Sequence, residues 1–246
     1  MRILLIGAGN MGGAMLKGLN SCDITVVESH KPRVLELRSL YPDIKIEDSI
    51  PSINNYIVIL AIKPQTFPKL SFSGSADGVI SIMAGVSLDD IKKNVKSKSY
   101  IRAMPNMAAL VGKSATAICG DISLKNDAIK ILDSIGECFW LQSENELNIA
   151  TAIAGSAPAW IALVAESLSD GGVKCGLGRE ISYKFISKLF EGMGEVLKNE
   201  HPAILKDKVM SPGGTTAAGY ARLEEGKVRD SFIKAVESSY EKAKKI

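Results

Sequence analysis

Histidine is scarce in this sequence and its cysteines are unpaired. Only His30 and His201 occur, and Cys22, Cys119, Cys138 and Cys175 are scattered without a C-x-x-C spacing. Neither a zinc site nor a disulfide framework can be assembled from them, so no metal is expected. The thiols read as reduced, buried side chains of a cytoplasmic protein. Excess charge is lacking too: 30 Lys and Arg against 27 Asp and Glu leave +3. That is too little for the positive face that nucleic acid requires, and none is expected as a partner. The apolar run Ile3–Ile6 is shorter than an export signal needs and leads into glycines. One uncharged stretch, Ile149 to Ala165, lies at the lower limit of a bilayer span, about 17 residues. It contains Gly155, Ser156 and Pro158, which predicts a backbone break near Pro158 and a helix buried between protein surfaces, with no membrane partner.

What is present is a globular composition. Of 246 residues 46% are apolar and 23% charged, enough for one large domain or two ordinary ones. Short β-branched runs at Arg2–Ile6, Ile24–Val27, Tyr56–Ala61 and Gly78–Met83 alternate with helical patterns. Tyr100–Met104 and Ser114–Cys119 extend the series. This order predicts an α/β fold, a doubly wound Rossmann-type dinucleotide-binding domain over residues 1–146. From Glu144 onward the strand signal stops. Ile181, Phe185, Leu189 and Val196, then Val228, Phe232, Val236 and Tyr240, recur at helical spacing. Residues 147–246 therefore form an all-helical domain too small to bury its own apolar faces, and a homodimer is expected.

Gly7-Ala8-Gly9-Asn10-Met11-Gly12 is a G-x-G-x-x-G placed directly after an apolar strand and opening a helix. In that context Gly7 makes the tight turn, Gly9 admits a pyrophosphate and Gly12 allows close helix–strand contact, while the helix N-terminus supplies amide donors. Glu28 ends the second strand, where an acidic side chain holds ribose hydroxyls and favours NADH. Ser29, His30, Lys31 and Arg33 follow it, and these donors suit the 2'-phosphate of NADPH. Both NADH and NADPH stay open. Ala61-Ile62-Lys63-Pro64, Met83-Ala84-Gly85 and Met104-Pro105-Asn106 each end a strand at the ligand-binding edge of such a sheet. Far along the helical half, Ser211-Pro212-Gly213-Gly214-Thr215-Thr216 is a Gly-rich turn whose amides suit a small carboxylate. The competing reading is an ordinary cap, with Ser211 at the N-cap and Pro212 as the first helical residue.

Taken in order, G-A-G-N-M-G, A-I-K-P-Q, M-A-G-V-S, R-A-M-P-N, A-G-S-A-P-A-W, E-S-L-S-D-G-G-V-K-C-G-L and S-P-G-G-T-T-A-A-G resemble pyrroline-5-carboxylate reductases over almost the whole chain. The resemblance implies hydride transfer from NAD(P)H to the C=N carbon of 1-pyrroline-5-carboxylate, giving L-proline, the last step of proline synthesis. It also implies helical domains that interlock two chains, dimers that can build a decamer, and an active site shared between subunits. Residue by residue, Ser211, Gly213, Gly214, Thr215 and Thr216 would take the substrate carboxylate, and Thr216 would hydrogen-bond the ring nitrogen as the catalytic residue. Ala8, Asn10 and Met11 of the glycine loop, with Ala61, Lys63 and Pro64, would contact the cofactor. Met104, Pro105, Asn106 and the Ser156 loop would line its nicotinamide. The family's G-S-G-P-A reads Gly155-Ser156-Ala157-Pro158-Ala159 here, and Glu28-Ser29-His30 replaces a polar-Arg pair.

The chemistry fits a chain poor in titratable groups, since a protonated imine accepts hydride without a general base. His30 and His201 are expected to be non-catalytic, and Lys63 to hold cofactor. A β-hydroxyacid dehydrogenase would need a lysine early in the helical domain, whereas none follows Gly155 until Lys174. A non-catalytic dinucleotide sensor would need the glycine loop but not the Ser211–Thr216 turn.

Overall fold

The computed structural model describes residues 1–19 and 23–245; Cys22 lies outside them. The amino-terminal part alternates β1 (Arg2–Ile6), α1 (Asn10–Leu19), β2 (Asp23–Val27), α2 (Lys31–Leu40), β3 (Lys45–Glu47), β4 (Ile57–Leu60), β5 (Gly78–Ser81), α3 (Leu88–Asn94) and β6 (Tyr100–Met104). It continues with β7 (Ser114–Gly120), α4 (Lys125–Leu132), β8 (Gly136–Trp140) and α5 (Glu144–Ala150). The strands make one eight-stranded sheet in the order β3-β2-β1-β4-β5-β6-β7-β8, parallel except for β7 against β6. This is the predicted doubly wound sheet, extended by the edge strands β3 and β8.

Side-chain alternation along β1 explains the two layers. Ile3 and Leu5 face Met15, Leu16 and Leu19 of α1, while Leu4 and Ile6 face Phe67, Ile91 and Val95 on the other side. Central strands buried on both faces must be apolar throughout, and burial of each Ile or Leu contributes about 1.5 to 3 kcal/mol. Residues 64–69 and 107–111 form 3-10 turns after β4 and β6.

The remaining helices are α6 (Ala157–Lys174), α7 (Arg179–Val196), α8 (Pro202–Val209), α9 (Thr215–Glu225) and α10 (Val228–Ala243). By packing the chain divides into two compact units, 1–156 with 239–246, and 157–238. The division falls after residue 146 because α5 is tied to the sheet: its Leu147 is fully buried against Met104, Ala117 and Cys119. No break occurs at Pro158. The helix runs on from α5 to α6, widening into a π turn over Thr151–Ser156, which opens space at the carbonyls that the proline ring would otherwise meet. The stretch Glu144–Lys174 is long and apolar enough to cross a membrane by length and composition.

Within the second unit, α6 and α7 are joined by a Schellman turn. Gly176 takes φ +101°, its N–H donates to the Val173 carbonyl, and the Leu177 N–H donates to the Gly172 carbonyl. Small residues let the two helices approach: a Cβ on Gly172 would stand 2.9 Å from Ser182 Oγ.

Candidate functional site

The β1–α1 loop has the form its glycines predict. Gly7 sits at φ +91°, and a Cβ there would press to 2.7 Å on the Ala61 carbonyl oxygen. A Cβ on Gly12 would lie 2.2 Å from the Gly7 carbonyl oxygen, so helix and loop touch there. At Gly9 a Cβ would meet nothing within 4 Å. The loop is closed underneath and open above Gly9, at the start of α1, where Asn10 begins the helix and its first-turn amides lack acceptors within the helix. That is a cradle for an anionic group.

Glu28 and Arg33 grip the peptide groups on either side of Ala8. Its N–H donates to Glu28 Oε2 at 3.0 Å, and its carbonyl accepts from Arg33 Nε at 2.6 Å. The other Glu28 oxygen accepts the His30 N–H at 2.9 Å. Arg33 also pairs with Glu36 at 2.7 Å. The two residues that the sequence offered as rival cofactor determinants are thus engaged with the glycine loop, a role spacing alone did not suggest. Ser29 lies beside them, lining a cleft of about 380 Å³ with Gly7, Val27, Glu28, Asp48 and Ile62.

Ala61 donates its N–H to the Ile6 carbonyl and packs on the glycine loop. Lys63 is exposed and opens the 3-10 turn begun by Pro64, its carbonyl accepting the Thr66 N–H at 2.9 Å. Met104 and Pro105 are buried at the end of β6. Asn106 is held from two sides: its N–H donates to Ser114 Oγ at 3.0 Å, and its Oδ1 accepts the Ala108 N–H at 3.0 Å. Ser114 in turn shares a hydrogen bond with Thr116 at 2.9 Å. Ser114 was missed in sequence; the antiparallel turn between β6 and β7 is what places it under Asn106. Ser156 closes the π turn, half-buried.

In the second unit, Ser211–Gly214 is a tight turn with Pro212 and then Gly213 at its centre. Gly213 takes φ +69°, and the Gly214 N–H donates to the Ser211 carbonyl at 3.0 Å. Proline followed by a left-handed glycine marks a type II turn. The N-cap of α9 is therefore Gly214, not Ser211, which corrects the capping alternative: Pro212 lies outside the helix because the left-handed Gly213 intervenes. Thr215 and Thr216 occupy the first turn of α9, exposed, with their amides at the positive end of the helix. His201 caps α8, its Nδ1 accepting the Ala203 N–H at 3.2 Å. Among the described residues no cluster of three or more metal-ligating side chains occurs.

Residues 144–246 match the family described as pyrroline-5-carboxylate reductase dimerisation, and residues 2–85 match NADP oxidoreductase coenzyme F420-dependent. The chain is 38% identical to a pyrroline-5-carboxylate reductase of Synechocystis, covering 98% of this chain and 97% of the relative. It is 32% identical to one from Thermus thermophilus, over 97% and 96%. A crystal structure of the Streptococcus pyogenes enzyme superposes with a TM-score of 0.85 at 30% identity, covering 100% of this chain and 99% of that one. The Plasmodium falciparum pyrroline carboxylate reductase with NADP bound gives 0.81 at 28%, over 99% and 97%.

Proposed function

This chain belongs to the pyrroline-5-carboxylate reductase family, NAD(P)H-dependent oxidoreductases acting on a C=N bond, and from that premise we propose how its own residues serve the reduction of 1-pyrroline-5-carboxylate to L-proline. The observation that carries the reading is the presence in one chain of two anion cradles of different kinds: the open loop at Gly9, and the Ser211–Gly214 turn feeding α9. The first fits a pyrophosphate, since only a residue without a side chain leaves the space above it clear. The second fits a small carboxylate, bound by amides without a cationic partner. Bound NAD(P)H supplies the hydride. Gly7, Ala8, Gly9, Asn10, Met11 and Gly12 would hold the dinucleotide, with Glu28, Ser29, Ala61, Lys63 and Pro64 along its ribose side and Met104, Pro105, Asn106 and Ser156 toward the reacting end.

In this reading Ser211, Gly213, Gly214 and Thr215 orient the substrate carboxylate, and the Thr216 hydroxyl bonds the ring nitrogen. Alignment and exclusion of water do the rest, since the protonated imine is already electrophilic. We also infer a homodimer, with a decamer built from dimers as the larger assembly, working in the cytoplasm where NAD(P)H is at hand. The uncharged stretch 149–165 is then covered by a second copy instead of by lipid.

The test is a spectrophotometric assay of NAD(P)H oxidation with pyrroline-5-carboxylate, with a 3-hydroxy acid plus NAD⁺ as control. Turnover is expected with the imine alone. Thr216→Ala should lower kcat/KM about ten- to a thousandfold, the equivalent of about 1 to 4 kcal/mol at one transition-state hydrogen bond. Unchanged kinetics in the folded variant would remove Thr216 from the mechanism.

A further inference from the structure

We propose that the adenosine end of this site is built for a dinucleotide without a 2'-phosphate, and that Asp48 is its second determinant beside Glu28. The inference rests on the dinucleotide reading of the glycine loop. Strand pairing brings the two carboxylates together: β2 and β3 run parallel with Val27 opposite Glu47, so Glu28 and Asp48 leave adjacent strand ends side by side. The Glu28 N–H donates to the Glu47 carbonyl at 3.1 Å, which fixes that register. Both residues line the 380 Å³ cleft next to Gly7, and both line a second cleft of about 260 Å³ with Arg38 and Glu47.

These carboxylates are open to a hydroxyl donor. Each Glu28 oxygen accepts one backbone N–H and keeps a further lone pair. Asp48 is exposed and has no protein partner among the described residues. Two of the nearby cations are committed elsewhere. Arg33 is drawn to the Ala8 carbonyl and Glu36, and Lys45 pairs with Glu47 at 2.7 Å. Arg38 reaches only the second cleft, and His30 and Lys31, at the start of α2, line neither. A ribose with free hydroxyls donates to carboxylates, whereas a phosphate presents them with like charge. The Plasmodium falciparum relative holds NADP, so a preference for NADH would belong to this chain's own residues.

Isothermal titration of the full-length protein with NADH and with NADPH, without imine, tests this directly. NADH should bind at least about tenfold more tightly at low salt, and the gap should shrink between about 50 and 500 mM salt as the repulsion is screened. Asp48→Asn should narrow the ratio of the two dissociation constants by about tenfold. Equal or tighter binding of NADPH by the unmodified protein, or a ratio that Asp48→Asn leaves in place, overturns the proposal while the dinucleotide reading survives. Heat from neither nucleotide overturns both.

Discussion

The three fingerprint glycines are constrained for different reasons, and substitution should separate them. A side chain at Gly9 points into open space, so Gly9→Val is expected to fold normally and to lose dinucleotide binding, checked by thermal unfolding together with a cofactor titration. At Gly12 even one methyl meets backbone at 2.2 Å. Gly12→Ala should therefore destabilise the fold by about 1 to 3 kcal/mol, visible as a lowered Tm. Retained binding in Gly9→Val would mean that nothing approaches that face. Two thiols make a second residue-scale case. Burial pushes Cys119 up to about 11, offset in part by Arg102. Burial, then a hydrogen bond to Asp133, takes Cys138 to about 12. Both folded values lie above the ordinary value of 9.0. The folded state therefore holds protons that the unfolded chain releases, and stability is expected to be full below pH 9 and to fall as pH rises toward 11 to 12. Urea midpoints at rising pH should show a shallower decline for Cys119→Ala than for the unmodified protein.

Among elements, α5 depends on a junction that joins three parts of the sheet edge. Arg102 of β6, with its side chain 6% exposed, pairs at 2.6 Å with Glu144, the first residue of α5. The same Glu144 oxygen accepts the Leu88 N–H, at the start of α3, at 3.0 Å. Glu144→Ala would strand a buried guanidinium and that amide. Full burial of both partners would make the cost about 3 to 5 kcal/mol; because Glu144 is a third exposed, about 2 to 4 is expected, read from urea denaturation. A loss under 1 kcal/mol would show water reaching Arg102. Legibility in the sequence followed burial at this scale. β1, β4 and β5 are buried on both faces, so their residues had to be continuously apolar and could be read. β3 has three residues and β8 alternates half-buried with exposed positions, Phe139 among the latter, so neither differs in composition from a loop. The reversed direction of β7 was readable in principle, because the link from Met104 to Ser114 is too short for a parallel crossover. The glycine loop was likewise written in its residue types. The grip on Ala8, the Ser114 support and the Glu28–Asp48 pairing were not, because they depend on register and loop direction.

Across the whole molecule the two compact units differ in what they bury. Among the described residues, no apolar side chain of 157–238 is buried; the buried positions there are Ser169 and Ser182. Leu163 is 61% exposed and Phe185 67%, and a groove of about 690 Å³ between α6, α9 and α10 is lined by Trp160, Leu163, Leu168, Leu223 and Phe232. Helices in such a state gain little from packing, and propensity alone holds a helix of this length only marginally in water. Folding of this unit and association of two chains should then be one event. Sedimentation at micromolar concentration is expected to find a dimer, and Leu163→Glu, which sets a charge inside the groove, is expected to yield monomers that have also lost much of their helical circular dichroism. A variant that turned monomeric with its helical signal intact would separate the two events, and the helical unit would have to draw its stability from its own α6–α7 packing.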